Sequence, residues 1–222
     1  APITGIDMEG ILTSKDILDL EELPESLAVI GGGVIGMEFA FIYSSFGVDI
    51  KVIEYLDDIL PGIDKEVTSE IGKIAKRSKI DITTGAQVKE ITKTEQGYQV
   101  NYLKDNEKEN INVEKVLVAT GREPSFGGLD LDKLGIKKEN NAIKVDDYMK
   151  TTIDNIYAVG DVTGKILLAH VASHQGVVAV ENIMGKNKKM DYGAVPAAIF
   201  TKPEIATVGL NEEEVKEKGI DY

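Results

Sequence analysis

The stretch Ser26 to Glu38, SLAVIGGGVIGME, constrains this chain more than any other, because a short apolar run enters a cluster of glycines and leaves it on a helical pattern. It predicts strand, turn, helix. Gly31, Gly33 and Gly36 stand at the spacing G-x-G-x-x-G, and each has its own task. Gly31 permits the tight turn, Gly33 puts no side chain between the backbone and a pyrophosphate, and Gly36 lets helix and strand lie close. The helix then starts with unpaired N–H groups and the positive end of its dipole, an anion site that needs no basic side chain. Three glycines alone are a weak signal, so the context decides: a strand before, a helix after, and an acidic residue closing the next strand. Asp49 to Ile53, DIKVI, reads as that strand, and Glu54 ends it 18 residues after Gly36, near the usual spacing of about 20. A carboxylate there accepts from the adenosine ribose hydroxyls and repels a 2′-phosphate, so NAD is expected over NADP.

Leu27 to Val48 is also almost wholly apolar and long enough to cross a bilayer. Against a membrane span stand three adjacent glycines, Glu38, the pair Ser44 and Ser45, and the lack of a Lys/Arg excess at one end. At 222 residues the chain has room for one large or two small domains, and 42% hydrophobic with 28% charged residues is ordinary for a soluble globular protein. A formal net charge of −13 lacks the cationic footprint that nucleic acid or an anionic membrane surface requires. The opening residues, APITGIDMEG, lack the layout of a signal peptide, so a cytoplasmic setting is expected. With no Cys, the chain itself carries no disulfide, thiolate metal site or thiol chemistry.

Taken in order, Ala1 to Glu22 reads as a connector broken by Pro2, Gly5 and Gly10, with Ser14 capping a short helix over Lys15 to Leu20. Gly33 to Phe46 is dense enough in apolar residues for a helix buried on most sides, ended by Gly47. A second helix is expected over Lys65 to Lys76, with Ile71, Ile74 and Ala75 inward, then a strand over Ile80 to Thr84. From Val88 to Val118 the period changes to two in VKEIT, GYQVNYL and ENINV, with turn signals between them, which predicts an antiparallel three-stranded meander. Val116 to Thr120 returns to the parallel sheet. Leu129 to Lys138 reads as a linker, Ile143 to Val145 as a strand, and Thr151 to Asp161 as an apolar strand ending in Gly160 and Asp161. A helix over Leu168 to Met184 should place Val171, Val178 and Ile183 inward. Two strands around Thr201 to Glu204 and a helix capped by Asn211 close the chain. His170 and His174, four apart, invite a metal reading, but no third ligand stands at a convincing spacing. Arg122 reads equally as a phosphate partner or as a structural ion pair.

With these residues in view, the chain resembles the pyridine nucleotide-disulfide oxidoreductase family, and within it the dihydrolipoamide dehydrogenases. The likeness rests on VIGGGVIGMEFA, VIEYLDDILPGID, VLVATGREP, TTIDNIYAVGD, LLAHVASHQG and VPAAIFTKPEIATVG, in the family's order; Ser125 departs from an Asn usual after Arg-x-Pro. The resemblance implies an α/β, Rossmann-like FAD/NAD(P)-binding fold, a parallel sheet with a three-stranded antiparallel meander. Residues 25–142 would be the NAD domain, 1–24 and 143–187 parts of a discontinuous FAD domain, and 188–222 the start of an α+β dimerisation domain. It also implies that the chain is an internal piece, since the family's flavin G-x-G-x-x-G, its redox Cys pair and its acid/base His are not in it. No catalytic residue is therefore expected here. Carried over by position, Gly31, Gly33, Val34, Ile35 and Gly36 would face the NAD pyrophosphate and Glu54 the ribose. Val88 and Gly121 would line the adenine and ribose side, and Glu38 would stand near nicotinamide and flavin. Asp161 would bond the ribityl chain of FAD, and Leu167, Leu168, Ala169 and His170 would pass beneath its ring.

For the intact parent the resemblance implies electrons passing from dihydrolipoamide to a disulfide, to FAD, and as hydride to NAD⁺. It also implies a homodimer within a 2-oxoacid dehydrogenase or glycine cleavage complex. Two rivals stay open: another flavin disulfide reductase, of mercuric or coenzyme A disulfide type, and a non-catalytic NAD-binding module. The flavin-side motifs speak against the second.

Overall fold

In the computed structural model of the protein, residues 3–222 are described; Pro2, one of the expected chain breakers, lies outside them. The chain divides into two compact units. One takes the chain up to Gly121 together with Ala198–Tyr222, and the other is Arg122–Ala197. This partition follows packing, whereas the expected domains follow likeness to a family, and the two draw their boundaries at different residues.

The first unit is built on a five-stranded sheet. Strands β1 (Ile11–Leu12), β2 (Ser26–Ile30), β3 (Asp49–Ile53), β4 (Ile80–Thr83) and β8 (Lys115–Val118) lie in the order β1-β8-β2-β3-β4, every neighbouring pair parallel. The chain leaves β2 toward β3 on one side while β8 flanks the other, so β2 sits where the strand order reverses. The connector expected over Ala1 to Glu22 thus supplies an edge strand, β1. Its short helix is a 3-10 turn over Asp16–Asp19, and Thr13 rather than Ser14 closes its start, donating to Asp16 Oδ2 from N at 2.8 Å and from Oγ1 at 2.6 Å.

Side-chain alternation along the strands explains what covers the sheet. On β2, Leu27 and Val29 point to one face and meet Met37 and Phe41 of α1 (Val34–Ser45) and Ile71 and Ala75 of α2 (Lys65–Arg77). Ala28 and Ile30 point to the other, where Val88, Ile91, Val100 and Tyr102 come from the meander β5 (Ala86–Thr94), β6 (Gly97–Lys104) and β7 (Glu107–Val113). Helices cover one face and an antiparallel sheet the other, so the central strands are apolar on both sides. Each such Leu, Ile or Val contributes about 1.5–3 kcal/mol by burial. The β6–β7 turn places Asp105 and Asn106 at φ 50° and 65°, the two left-handed residues that a tight hairpin of this hand needs. Tyr102, buried there and donating to Glu109 Oε2 at 2.8 Å, has its phenol pushed up to about 12, by burial first and then by that carboxylate.

The apolar stretch from Leu27 to Val48 is divided between a five-residue strand and a 12-residue helix, and no helix among the described residues is long and apolar enough to cross a membrane. At the junction, Gly36 packs on the turn before it. A β-carbon there would run into the carbonyl of Gly31 and lie 3.1 Å from Val29 Cγ1.

The chain closes with a hairpin of β11 (Ala197–Ile199) and β12 (Ile205–Thr207) and with α4 (Glu212–Glu217), all but Ala197 in the first unit. Asn211 forms the expected capping box with Glu214. Asn211 Nδ2 also donates to Gly62 O, and Glu212 N to Asp64 Oδ1 at 2.9 Å, fastening α4 to the turn before α2.

In the second unit, β9 (Lys138–Glu139) and β10 (Ala142–Ile143) form a hairpin through Asn140 and Asn141, both left-handed, where a linker and a strand over Ile143 to Val145 were expected. The strand expected over Thr151 to Asp161 does not form. Asn155, at φ 66°, reverses the chain, and the backbone bonds locally: Thr151 N to Ile156 O, Ala158 N to Met149 O, with one bridge between Lys150 and Tyr157. The final helix, α3 (Ala169–Ile183), buries Val171, Gln175, Val178 and Ala179. Ile183 is exposed, not inward, because five residues past Val178 it stands about 140° around the helix.

Gly36→Ala should destabilise the first unit by about 2 kcal/mol, as the added methyl forces strand and helix apart; chemical denaturation followed by circular dichroism reads it. Asn211→Ala should cost the last helix about 1 kcal/mol. Since α4 has no buried residue, the loss should show as faster amide exchange at Val215 and Lys218 with little change in the global transition.

Candidate dinucleotide site

Each peptide of the glycine turn is held by a separate partner. Gly31 N donates to Ile53 O at 2.9 Å and Ile30 O accepts from Ala119 N at 2.8 Å, so the end of β2 is still tied to both neighbouring strands. Gly31 itself has φ 109°, and a β-carbon on it would strike Ala119 O; only glycine suits the place. Gly32 N donates to Glu54 Oε2 at 2.5 Å, and Gly32 O accepts from Leu60 N at 2.9 Å. Gly33 is the N-cap of α1, in ordinary extended backbone at φ −72° and ψ −174°.

The three motif glycines therefore have different structural reasons. Gly31 and Gly36 are demanded by the fold. Gly33 is not, because a β-carbon built on it meets nothing within 4 Å. Its side is open space directly at the helix start. The N–H groups of Gly33, Val34, Ile35 and Gly36 donate to no acceptor among the described residues, and no side chain caps the helix. Four free donors, the helix dipole and an open glycine together make a shelf for an anion.

Glu54 is buried, 7% exposed, and its two oxygens accept from Gly32 N and, at 2.7 Å, from Leu56 N. A carboxylate has about four lone-pair positions, so acceptor capacity remains for a hydroxyl. Val88 is buried in the meander-side core, and Gly121 lies exposed just after β8 at φ 130° with open space at its β-carbon. Glu38, half-buried on α1, accepts from Phe200 N at 2.8 Å and so holds the β11 end of the hairpin.

The remaining expected residues belong to the second unit. Asp161 opens a 3-10 turn after Gly160, and its Oδ2 pairs with Arg122 at 2.9 Å, which gives Arg122 a structural partner. Gly160, at φ 82°, donates its N–H to Oε1 of Gln175 at 2.6 Å. Leu168 is the N-cap of α3, Leu167 and Ala169 are exposed, and His170 Nε2 donates to Pro196 O at 2.9 Å. Among the described residues no three His, Asp or Glu side chains gather as a metal site.

Reasoning from the motif missed Gly32, Ile59, Leu60 and Gln175. Gly32 had a signal, since three consecutive glycines exceed what the motif needs: a β-carbon there would lie 3.0 Å from Ile59 Cγ2 and 3.1 Å from Glu54 Cβ. Two surface depressions lie elsewhere. One of about 820 Å³, among Glu25, Ser26, Glu95 and Glu114, is at the opposite end of β2 from the turn, and one of about 540 Å³ runs between α2 and β4.

Residues 2–176 match the family model described as pyridine nucleotide-disulphide oxidoreductase, and residues 195–222 match that family's dimerisation domain. The chain is 45% identical to a dihydrolipoyl dehydrogenase of Chlamydia pneumoniae over 99% of its own length and 47% of the relative's. It is 42% identical to that of Bacillus subtilis (strain 168), over 98% and 47%. Among solved structures, the HOCl-induced flavoprotein disulfide reductase RclA from Escherichia coli superposes with a TM-score of 0.88 at 32% identity, covering 100% of this chain and 51% of that one. The chain spans about half the length of the curated relatives it matches. A two-faced parallel sheet with a glycine turn at its reversal point, matched across most of its length by this family's model, makes the chain a member of the pyridine nucleotide-disulphide oxidoreductases.

Proposed function

We propose that the chain binds NAD on the glycine turn, as the nucleotide-binding portion of a dihydrolipoamide dehydrogenase. The observation that carries this is the coincidence of four free N–H groups at Gly33, Val34, Ile35 and Gly36 with open space where a side chain on Gly33 would lie. In this reading those donors hold the pyrophosphate, and Glu54 accepts from the adenosine ribose with the lone pairs left over from its two backbone bonds. Val88 and Gly121 flank the adenine and ribose, and Glu38 serves the nicotinamide end.

Asp161 and the Leu167–His170 segment would meet the sugar-alcohol chain and ring of FAD in the parent. Their chemistry fits that group, with a half-exposed carboxylate and exposed backbone at the head of α3. Nicotinamide and flavin supply the hydride chemistry, and these residues bind and orient. In the longer parent, dihydrolipoamide would be oxidised through a redox disulfide and FAD, with NAD⁺ as final acceptor. Residues 25–142 would form its NAD domain, 1–24 and 143–187 parts of its FAD domain, and 188–222 the start of its dimerisation domain. The match of residues 195–222 supports a homodimeric parent. Membership of a 2-oxoacid dehydrogenase or glycine cleavage complex belongs to the same reading. The likeness to RclA favours one alternative, a flavin disulfide reductase working toward the disulfide. Steady-state assay of the full-length protein with dihydrolipoamide and NAD⁺ separates the two.

Fluorescence titration of the chain should give tighter binding of NADH than of NADPH; equal or tighter NADPH binding defeats the assignment of Glu54. Gly33→Val should abolish NADH binding in calorimetry while the circular dichroism spectrum stays that of the unsubstituted chain, since the new β-carbon enters the open space beside the free N–H groups and meets no protein atom within 4 Å. Unchanged affinity would make the turn a purely structural crossing.

A further inference from the structure

Leu60 is the one residue near the turn in a conformation that its type resists. Its φ is 52°, in the left-handed region, and its side chain is fully buried among the helix-side core. A branched residue adopts that region at an energetic cost and stays there only when its surroundings require it. The requirement is visible in its backbone: in this conformation its N–H reaches Gly32 O at 2.9 Å.

A trans peptide points its C=O and its N–H in opposite directions. The bond from Leu60 to the carbonyl of Gly32 therefore turns the N–H of Gly33, on the same peptide, away from the core and toward the open side. Glu54 does the same for the preceding peptide. By holding the N–H of Gly32, it sends the carbonyl of Gly31 the other way, under Gly36. Two successive peptides are thus fixed by one bond each, and the first free donor of the shelf follows directly.

We propose that Leu60 is a positioning residue of the dinucleotide site: its left-handed backbone locks the Gly32–Gly33 peptide so that the Gly33 N–H is aimed at the pyrophosphate before ligand arrives. The inference rests on the NAD reading given above. It concerns the backbone of Leu60, whose side chain serves only to hold it in place. Locking a donor in advance removes the ordering cost that binding would otherwise meet.

The test replaces Leu60 by its α-hydroxy acid analogue, which changes one amide to an ester, keeps the side chain and deletes the N–H. Affinities for NADH and for adenosine are then measured. The ester chain should bind NADH about fivefold more weakly, the worth of one hydrogen bond, and adenosine as before, because adenosine has no pyrophosphate. Leu60→Gly is the conservative counterpart, retaining the N–H and suiting the left-handed backbone. It should melt lower for want of the buried side chain yet keep NADH affinity within about threefold. An ester chain that binds NADH like the parent overturns the inference, as does an equal loss for both ligands, and the ester decides alone if Leu60→Gly does not fold. A parent chain that fails to bind NADH overturns the function from which the inference starts, a result distinct from these.

Discussion

The approach of Gly36 to the carbonyl of Gly31 is the contact on which the first unit depends. With no side chain between them, α1 begins directly over the end of β2, and Met37, Ala40 and Phe41 reach the sheet. A helix displaced by the width of a methyl would open a gap along the helix-side core and carry its N-terminus off the axis of the strand. Packing and binding thus share one geometric requirement. The same close crossing that fills the core puts free N–H groups at the carboxyl end of the strand where the sheet order reverses, the place where open α/β sheets bind ligands.

Much of that unit was legible because its sequence signals agree with one another. The change of period at Val88, from apolar runs to alternation, marked the meander, and the short apolar runs LAVI and KVI marked the strands before and after the glycine turn and its helix. Legibility failed where a local signal had no partner. Thr151 to Asp161 is apolar enough for a strand, but a strand needs a ladder, and here Asn155 reverses the chain so that Ile153 and Ile156 pack into a local cluster. Ile183 failed differently. The inward face of α3 does follow Val171 and Val178 as expected, but it runs through the polar Gln175 and on to Ala179, where a count of apolar residues extends it to Ile183 instead.

At the candidate site, the spacing located the glycines and Glu54 and assigned each glycine its task, but not the backbone partners that hold the turn. The structure divides the three glycines along the same line: the fold requires Gly31 and Gly36, whereas the side of Gly33 faces open space. Only the last is informative about a ligand. Glu54, read as a ribose acceptor, is also a structural carboxylate, with both oxygens committed to backbone donors. Leu60 could not have been found from sequence, since left-handed backbone at a leucine has no compositional mark; it follows from tertiary packing.

The second unit repeats the device with different residues. Gly160 has positive φ, and its N–H is taken by Oε1 of Gln175, a side chain with no exposed surface; the other end of that amide donates to Tyr192 at 2.9 Å. In both units a buried polar side chain, Glu54 or Gln175, accepts from the backbone N–H of a glycine beside the residues expected to meet a cofactor. An isolated buried amide or carboxylate would cost several kcal/mol, so neither is retained for packing volume alone. Each is satisfied only when its glycine peptide faces it. The desolvation that makes such groups expensive is what holds the turn in one conformation, since any rotation of that peptide leaves a buried acceptor without its donor.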